Sequence, residues 1–119
     1  MSDYHQLEVW QKARKLSVHV YRRAARLPSS ARVLVDQMQR AALSVASNVA
    51  EAQGRQTSRE RIRFFGIARG SLIELEMQTL ISGDLGYFSP RQTEIIINAT
   101  NELARQMNAL IRHYKTRPS

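Results

Sequence analysis

Lys12, Lys15, His19, Arg22, Arg23 and Arg26 recur at steps of one, three and four residues near the start of the chain. Wound at about 3.6 residues per turn they fall within an arc of about 100°, beside the apolar face of that helix rather than beneath it. Glu8 is the one acid of this segment and lies in its first turn, where the helix dipole favours it. Five permanent cations on one strip repel one another unless something anionic lies along them. The chemistry on offer is therefore phosphate contact, with a solvated helix face as the plainer reading.

A second group, Arg55, Arg59, Arg61 and Arg63, surrounds a turn with Glu60 as the nearby acid. Guanidinium forks suit two-pronged phosphate contact, and free N–H groups at the start of the following helix would assist; a solubilising turn is the alternative. A weaker group is Arg105, Arg112, Lys115 and Arg117. The positions nominated for nucleic-acid contact are Lys12, Lys15, Arg22, Arg23, Arg26, Arg55, Arg59 and Arg63.

A third pattern is polar. Gln37, Arg40, Ser44, Ser47, Asn48, Glu51 and Arg55 follow coiled-coil seam spacing among the small residues Ala41, Ala42, Ala46 and Ala50. Arg69 and Glu76 share a face with Phe65, Leu72 and Ile73, and charges on an apolar face need partners. Gly66 and Gly70 admit a neighbouring helix. We read Arg40, Ser44, Asn48, Glu51, Arg69 and Glu76 as a subunit contact; the alternative is pairing within the chain or reach into solvent.

Other chemistries find no residue set. Cys is absent, and His5, His19 and His113 have no zinc spacing. Glu-x-x-His pairs, a phosphate-cradling glycine loop and a nucleophile elbow are all missing. Glu74 and Glu76 point about 200° apart on a helix and cannot share a substrate. The expectation is a protein without catalytic residues, metal or cofactor.

These side chains need helices to hold them. Val9, Leu16, Val20 and Leu27, flanked by Trp10, Ala13, Tyr21 and Ala24, predict a helix over 7–27. Pro28-Ser29-Ser30 ends it and offers an N-cap to a second helix over 31–53. The apolar face of that helix is Leu34, Met38, Ala41, Ala42, Val45, Val49 and Ala52, with Gly54 as its C′ residue. Thr57 and Glu60 form a capping box opening a third helix over 58–85. Its face is Ile62, Phe65, Leu72, Ile73 and Leu80, with Phe64, Ile67, Leu75 and Ile81 elsewhere, so it is buried on several sides or used in both core and subunit contact. Gly86 closes it. Ser89-Pro90-Arg91-Gln92 opens a fourth helix over 90–114, whose stripe is Ile95, Ile96, Ala99, Leu103, Met107, Leu110 and Tyr114. Helices of about 21–28 residues, each about 30–40 Å long and joined by short turns, predict an all-α, antiparallel up-down-up-down four-helix bundle over residues 1–119 as one domain.

The whole chain agrees with this. Its 119 residues suit one domain, and 43% hydrophobic with 24% charged residues is globular. With 18 Lys and Arg against 10 Asp and Glu, the net charge of +8 suits an anionic partner. The start lacks signal-peptide character and no apolar run could span a bilayer, so a cytoplasmic protein without membrane contact is expected.

The segments Leu7-Glu-Val-Trp-Gln-Lys-Ala13, Gln37-Met-Gln-Arg-Ala-Ala-Leu-Ser44, Ser47-Asn-Val-Ala-Glu51, Gly54-Arg55, Phe65-Gly-Ile-Ala-Arg-Gly-Ser-Leu-Ile-Glu-Leu-Glu76 and Leu85-Gly-Tyr87 resemble a known family. It comprises the bacterial four-helix bundle proteins first recognised as open reading frames in intervening sequences of large-subunit ribosomal RNA genes. The accessory variability protein of diversity-generating retroelements belongs to the same superfamily. Ala46 and Ala52 stand where that family often has Pro and Gly, and Ala46 leaves the second helix straighter. The resemblance implies a homopentamer, RNA or DNA binding, association with a reverse transcriptase in the retroelement branch, and no catalytic residues. The function expected is a non-enzymatic, oligomeric, basic nucleic-acid-binding protein that takes duplex or structured RNA, since the aromatic residues lie on or near core stripes. The alternative is an interaction scaffold for a reverse transcriptase or an acidic partner protein.

Overall fold

Each apolar stripe becomes the buried line of a helix. The structure, a computed structural model, describes residues 3–117, which form four α-helices and a single 3-10 turn at Ser29–Ala31, with no strand among them. Helix α1 spans Asp3–Ala25, α2 Arg32–Gly54, α3 Ser58–Asp84 and α4 Pro90–Lys115. Helix α1 packs on α2 and α4, and α3 packs on α2 and α4. Helices α1 and α3 therefore stand at opposite corners of an antiparallel bundle, 49 Å in its longest dimension.

The core is a continuous column. Val9, Ala13, Leu16, Val20 and Ala24 of α1 meet Met38, Ala42, Val45, Val49 and Ala52 of α2, and Ile96, Leu103, Met107, Leu110 and Tyr114 of α4 close it. The ring of Phe65 stacks on Tyr114 at 6.3 Å between centroids.

On α3 the buried line differs from the expected one. Phe65, Ala68, Leu72, Leu75, Thr79 and Ser82 face inward, whereas Ile73 is 65% exposed and Leu80 41%. The inward line repeats at three- and four-residue steps and uses small or hydroxyl side chains where neighbouring helices crowd it. Thr79 and Ser82 bury their hydroxyls by donating to the Leu75 and Gln78 carbonyls of their own helix. Ile95, placed above on the α4 stripe, is 44% exposed, and Tyr21, read as flanking the α1 stripe, is 43% exposed.

Three helix ends follow the sequence rules and two do not. Thr57 Oγ1 accepts from the Glu60 N–H at 3.2 Å, and Ser89 and Gln92 form a reciprocal capping box with Pro90 at the first helical position. Gly86, at φ +80°, takes the left-handed turn that a Cβ would strain. The serines after Pro28 do not cap α2: they are spent on the 3-10 turn, and Ala31 holds the cap position without a side-chain bond. Gly54 is the last residue of α2 rather than a left-handed C′ residue, because the extended Arg55 ends the helix and gives its carbonyl to Arg61 Nε at 2.8 Å.

Near the end of α3, a Cβ on Gly83 would come within 2.7 Å of Thr93 Oγ1, which is buried without a hydrogen-bond partner in the described protein. Gly83→Ala is expected to lower unfolding free energy by about 1 kcal/mol, overpacking outweighing the gain in helix propensity. In a Thr93→Ala background the same change should be neutral or stabilising. Denaturant unfolding of the four proteins of this cycle reads the result.

Candidate nucleic-acid interface

The cationic positions of α1 share one channel. Lys15, His19, Arg22, Arg23 and Arg26 line an open groove of about 640 Å³ along the helix. From Lys12 to Arg26 the strip is about 21 Å long, the length of about six phosphates on one strand at about 3.4 Å each. Gln11, Arg14 and Val18 also line the groove. The sequence reading missed Arg14 because its backbone lies off the arc. Its guanidinium folds over the Trp10 ring, 5.4 Å from the centroid.

The strip is not uniform. Lys12 is spoken for by its own chain: its Nζ lies 2.6 Å from Glu102 Oε1 and 3.7 Å from Glu8 Oε1. The hydrogen bond to Glu102 raises the Lys12 pKa above the usual lysine range and lowers that of Glu102. Glu8 in turn accepts from Gln106 Nε2 at 2.7 Å. Lys15, Arg22, Arg23 and Arg26 have no carboxylate within ion-pair distance among the described residues. Burial, and then the Arg23 guanidinium, push the His19 pKa below the ordinary imidazole range, so His19 is neutral at pH 7. A phosphate bound beside it would favour the imidazolium.

Arg55, Arg59 and Arg63 gather at the other end of the bundle, so the two basic groups are separate surfaces. Arg55 Nη2 is 2.6 Å from Glu51 Oε2, and its guanidinium lies over Phe64 at 4.7 Å. Arg63 covers the same ring at 5.6 Å and is exposed, as is Arg59. Arg61 turns inward. Its guanidinium stacks on Tyr114 at 5.2 Å and donates to the Tyr114 hydroxyl at 3.3 Å. Gln6 Nε2 donates to the same hydroxyl, and Gln53 Nε2 donates to the Gln6 carbonyl at 2.6 Å. This knot ties all four helices at one end; the sequence gives no sign of it, because its members come from four distant segments. It removes Arg61 from the basic surface.

Ser44 Oγ meets Ser71 Oγ of α3 at 2.7 Å, and Asn48 Nδ2 donates to the Ser44 carbonyl and hydroxyl. These two thus have partners in their own chain, as Glu51 does in Arg55. Arg69 Nη1 donates to Asn108 Oδ1 on α4 at 3.0 Å rather than to Glu76, and Arg40 is exposed.

The surplus apolar residues of α3 noted in the sequence form an exposed surface. Ile73 and Met77 are 65% and 57% exposed on α3, with Leu80 and Ile81 beside them. With Gly66 and Gly70, around which a Cβ would meet nothing within 4 Å, they form a line at seam spacing that nothing among the described residues covers. The signal was present in the sequence as too many apolar residues for one face.

Among the described residues no helix is long and apolar enough to cross a membrane. Residues 5–109 match the family described as 23S rRNA-intervening sequence protein. A solved structure of a protein of unknown function from the S23 ribosomal protein family of Bacteroides thetaiotaomicron VPI-5482 superposes with a TM-score of 0.85. The two sequences are 22% identical, over 91% of this chain and 98% of that one, a likeness that shows the fold. No curated protein matches the chain.

Proposed function

The chain belongs to the 23S rRNA-intervening sequence protein family, and from that footing we propose that it is a non-enzymatic, oligomeric, basic protein that binds structured RNA or DNA through phosphate contacts. The observation that carries this reading is the run Lys15, Arg22, Arg23 and Arg26, four cations without a carboxylate partner among the described residues, along one groove. Cations without counter-charges are costly to line up and gain most from a polyanion of matching length. The occupant proposed for the exposed α3 seam is a second copy of the chain. The first half of α3 carries Arg59, Arg63 and Arg69 and the second half Glu74, Glu76 and Asp84, so the helix offers a copy of itself both signs of charge around an apolar centre.

A salt series on nuclease-treated protein tests the binding. Four phosphate contacts predict a slope of log K against log salt near ~−3.6 on duplex, a loss of roughly 10²-fold between about 50 and 200 mM. No affinity at about 100 mM salt, or a slope near zero, would overturn the reading in favour of a scaffold for an acidic protein.

A further inference from the structure

Beside the cationic groove, between α1 and α4, lies a second hollow of about 260 Å³. Leu16, Ile95, Ala99 and Leu103 wall it with hydrocarbon. The Lys12–Glu102 ion pair lies at one end. Lys15 and His19 belong to both hollows, so the phosphate groove and the apolar slot share a rim. The slot is smaller than the roughly 300–1,000 Å³ of drug-sized pockets, which suits a single planar ring system. Ile95, 44% exposed, and the small Ala99 are lining residues from α4 at which a substitution can enlarge or fill it.

We propose that this slot receives one unpaired nucleobase of an RNA strand whose phosphates run along α1. The inference rests on the reading of α1 as a phosphate track. A base turned out of a loop finds an apolar cleft on one side of its backbone and cations on the other, in the order base, rim, phosphate. That is the arrangement a single-stranded nucleotide presents, whereas a fully paired duplex keeps its bases stacked and has nothing to insert. His19 lines both hollows and so stands where the base and its phosphate would meet. The same strip therefore holds duplex through its phosphates alone and looped RNA through phosphates and one base.

The probe is an RNA hairpin with an unpaired 2-aminopurine in its loop, set against a blunt RNA duplex with the same number of phosphates and the same base paired. The intact protein is expected to bind the hairpin about ten-fold more tightly and to change the loop emission, as expected for one sequestered base. Ala99→Leu fills the slot without touching a charge. It should bring the hairpin down to the duplex affinity and leave the duplex salt slope unchanged. Ile95→Ala, which trims one wall at a partly exposed position, should lower the hairpin preference as well, with circular dichroism checking that the helices persist. Equal affinities in the unaltered protein, or a hairpin preference that survives both variants, overturns the slot while the track stands. If the unaltered protein binds neither probe at low salt, the track falls and the slot with it.

Discussion

A protein carrying Lys15→Glu, Arg22→Glu and Arg26→Glu is expected to lose at least about 100-fold in affinity for duplex at about 100 mM salt. Three of the four cations of the run Lys15, Arg22, Arg23 and Arg26 become anions, so attraction is replaced by repulsion along about 16 Å of chain. The slope of log K against log salt should fall from near ~−3.6 to about −1. All three side chains are exposed and none takes part in an ion pair among the described residues, so far-ultraviolet circular dichroism should not change. The matching control is Lys12→Gln. Because Lys12 is already neutralised by Glu102 and Glu8, its loss should cost far less than that of any one of the three. If the triple variant binds as well as the original, α1 is merely a solvated face.

The second large effect is on assembly. Ile73→Asp with Met77→Asp is expected to convert an oligomer to a monomer at micromolar concentration, read by light scattering, with the dissociation constant raised by about 10³-fold or more. Both side chains are more than half exposed in the single chain, so the bundle gives up little by losing them. In a contact between copies, two added carboxylates beside Glu74 and Glu76 would have to leave water without partners, at several kcal/mol each. An unchanged mass would show that another surface joins the copies, and a monomeric unaltered protein would remove the assembly argument.

The sequence made the bundle legible because the signals were redundant. Four stripes at helical period, the Thr57 cap and the Ser89-Pro90 start all pointed the same way, and the structure follows them. Helix α3 was misread for a physical reason. Its true inward line contains Ala68, Ser71, Thr79 and Ser82, which a hydrophobicity count passes over, while Ile73 and Leu80 are apolar and point outward. The arc on α1 could be drawn from spacing alone, because i, i+3 and i+4 positions fix a helix face. That Glu102 silences Lys12, and that Arg61 is drawn in by Tyr114, depends on residues 90 and 53 positions away, which no local pattern reports. The slot is likewise an inter-helix property, written half on α1 and half on α4.

Helices α1 and α3 stand on the diagonal of the bundle, without close backbone approach, and that placement has a consequence for valency. If copies join through the α3 corner, each leaves its opposite α1 corner free, so every protomer of the assembly would contribute one unobstructed track. On the proposed function, a long polyanion released from one track would then meet the next at a high effective concentration, and its residence time would rise with the number of tracks it can reach. A fragment too short to bridge neighbouring tracks would gain nothing from the assembly. Discrimination between long structured transcripts and their debris would thus come from geometry alone, with no base read at all.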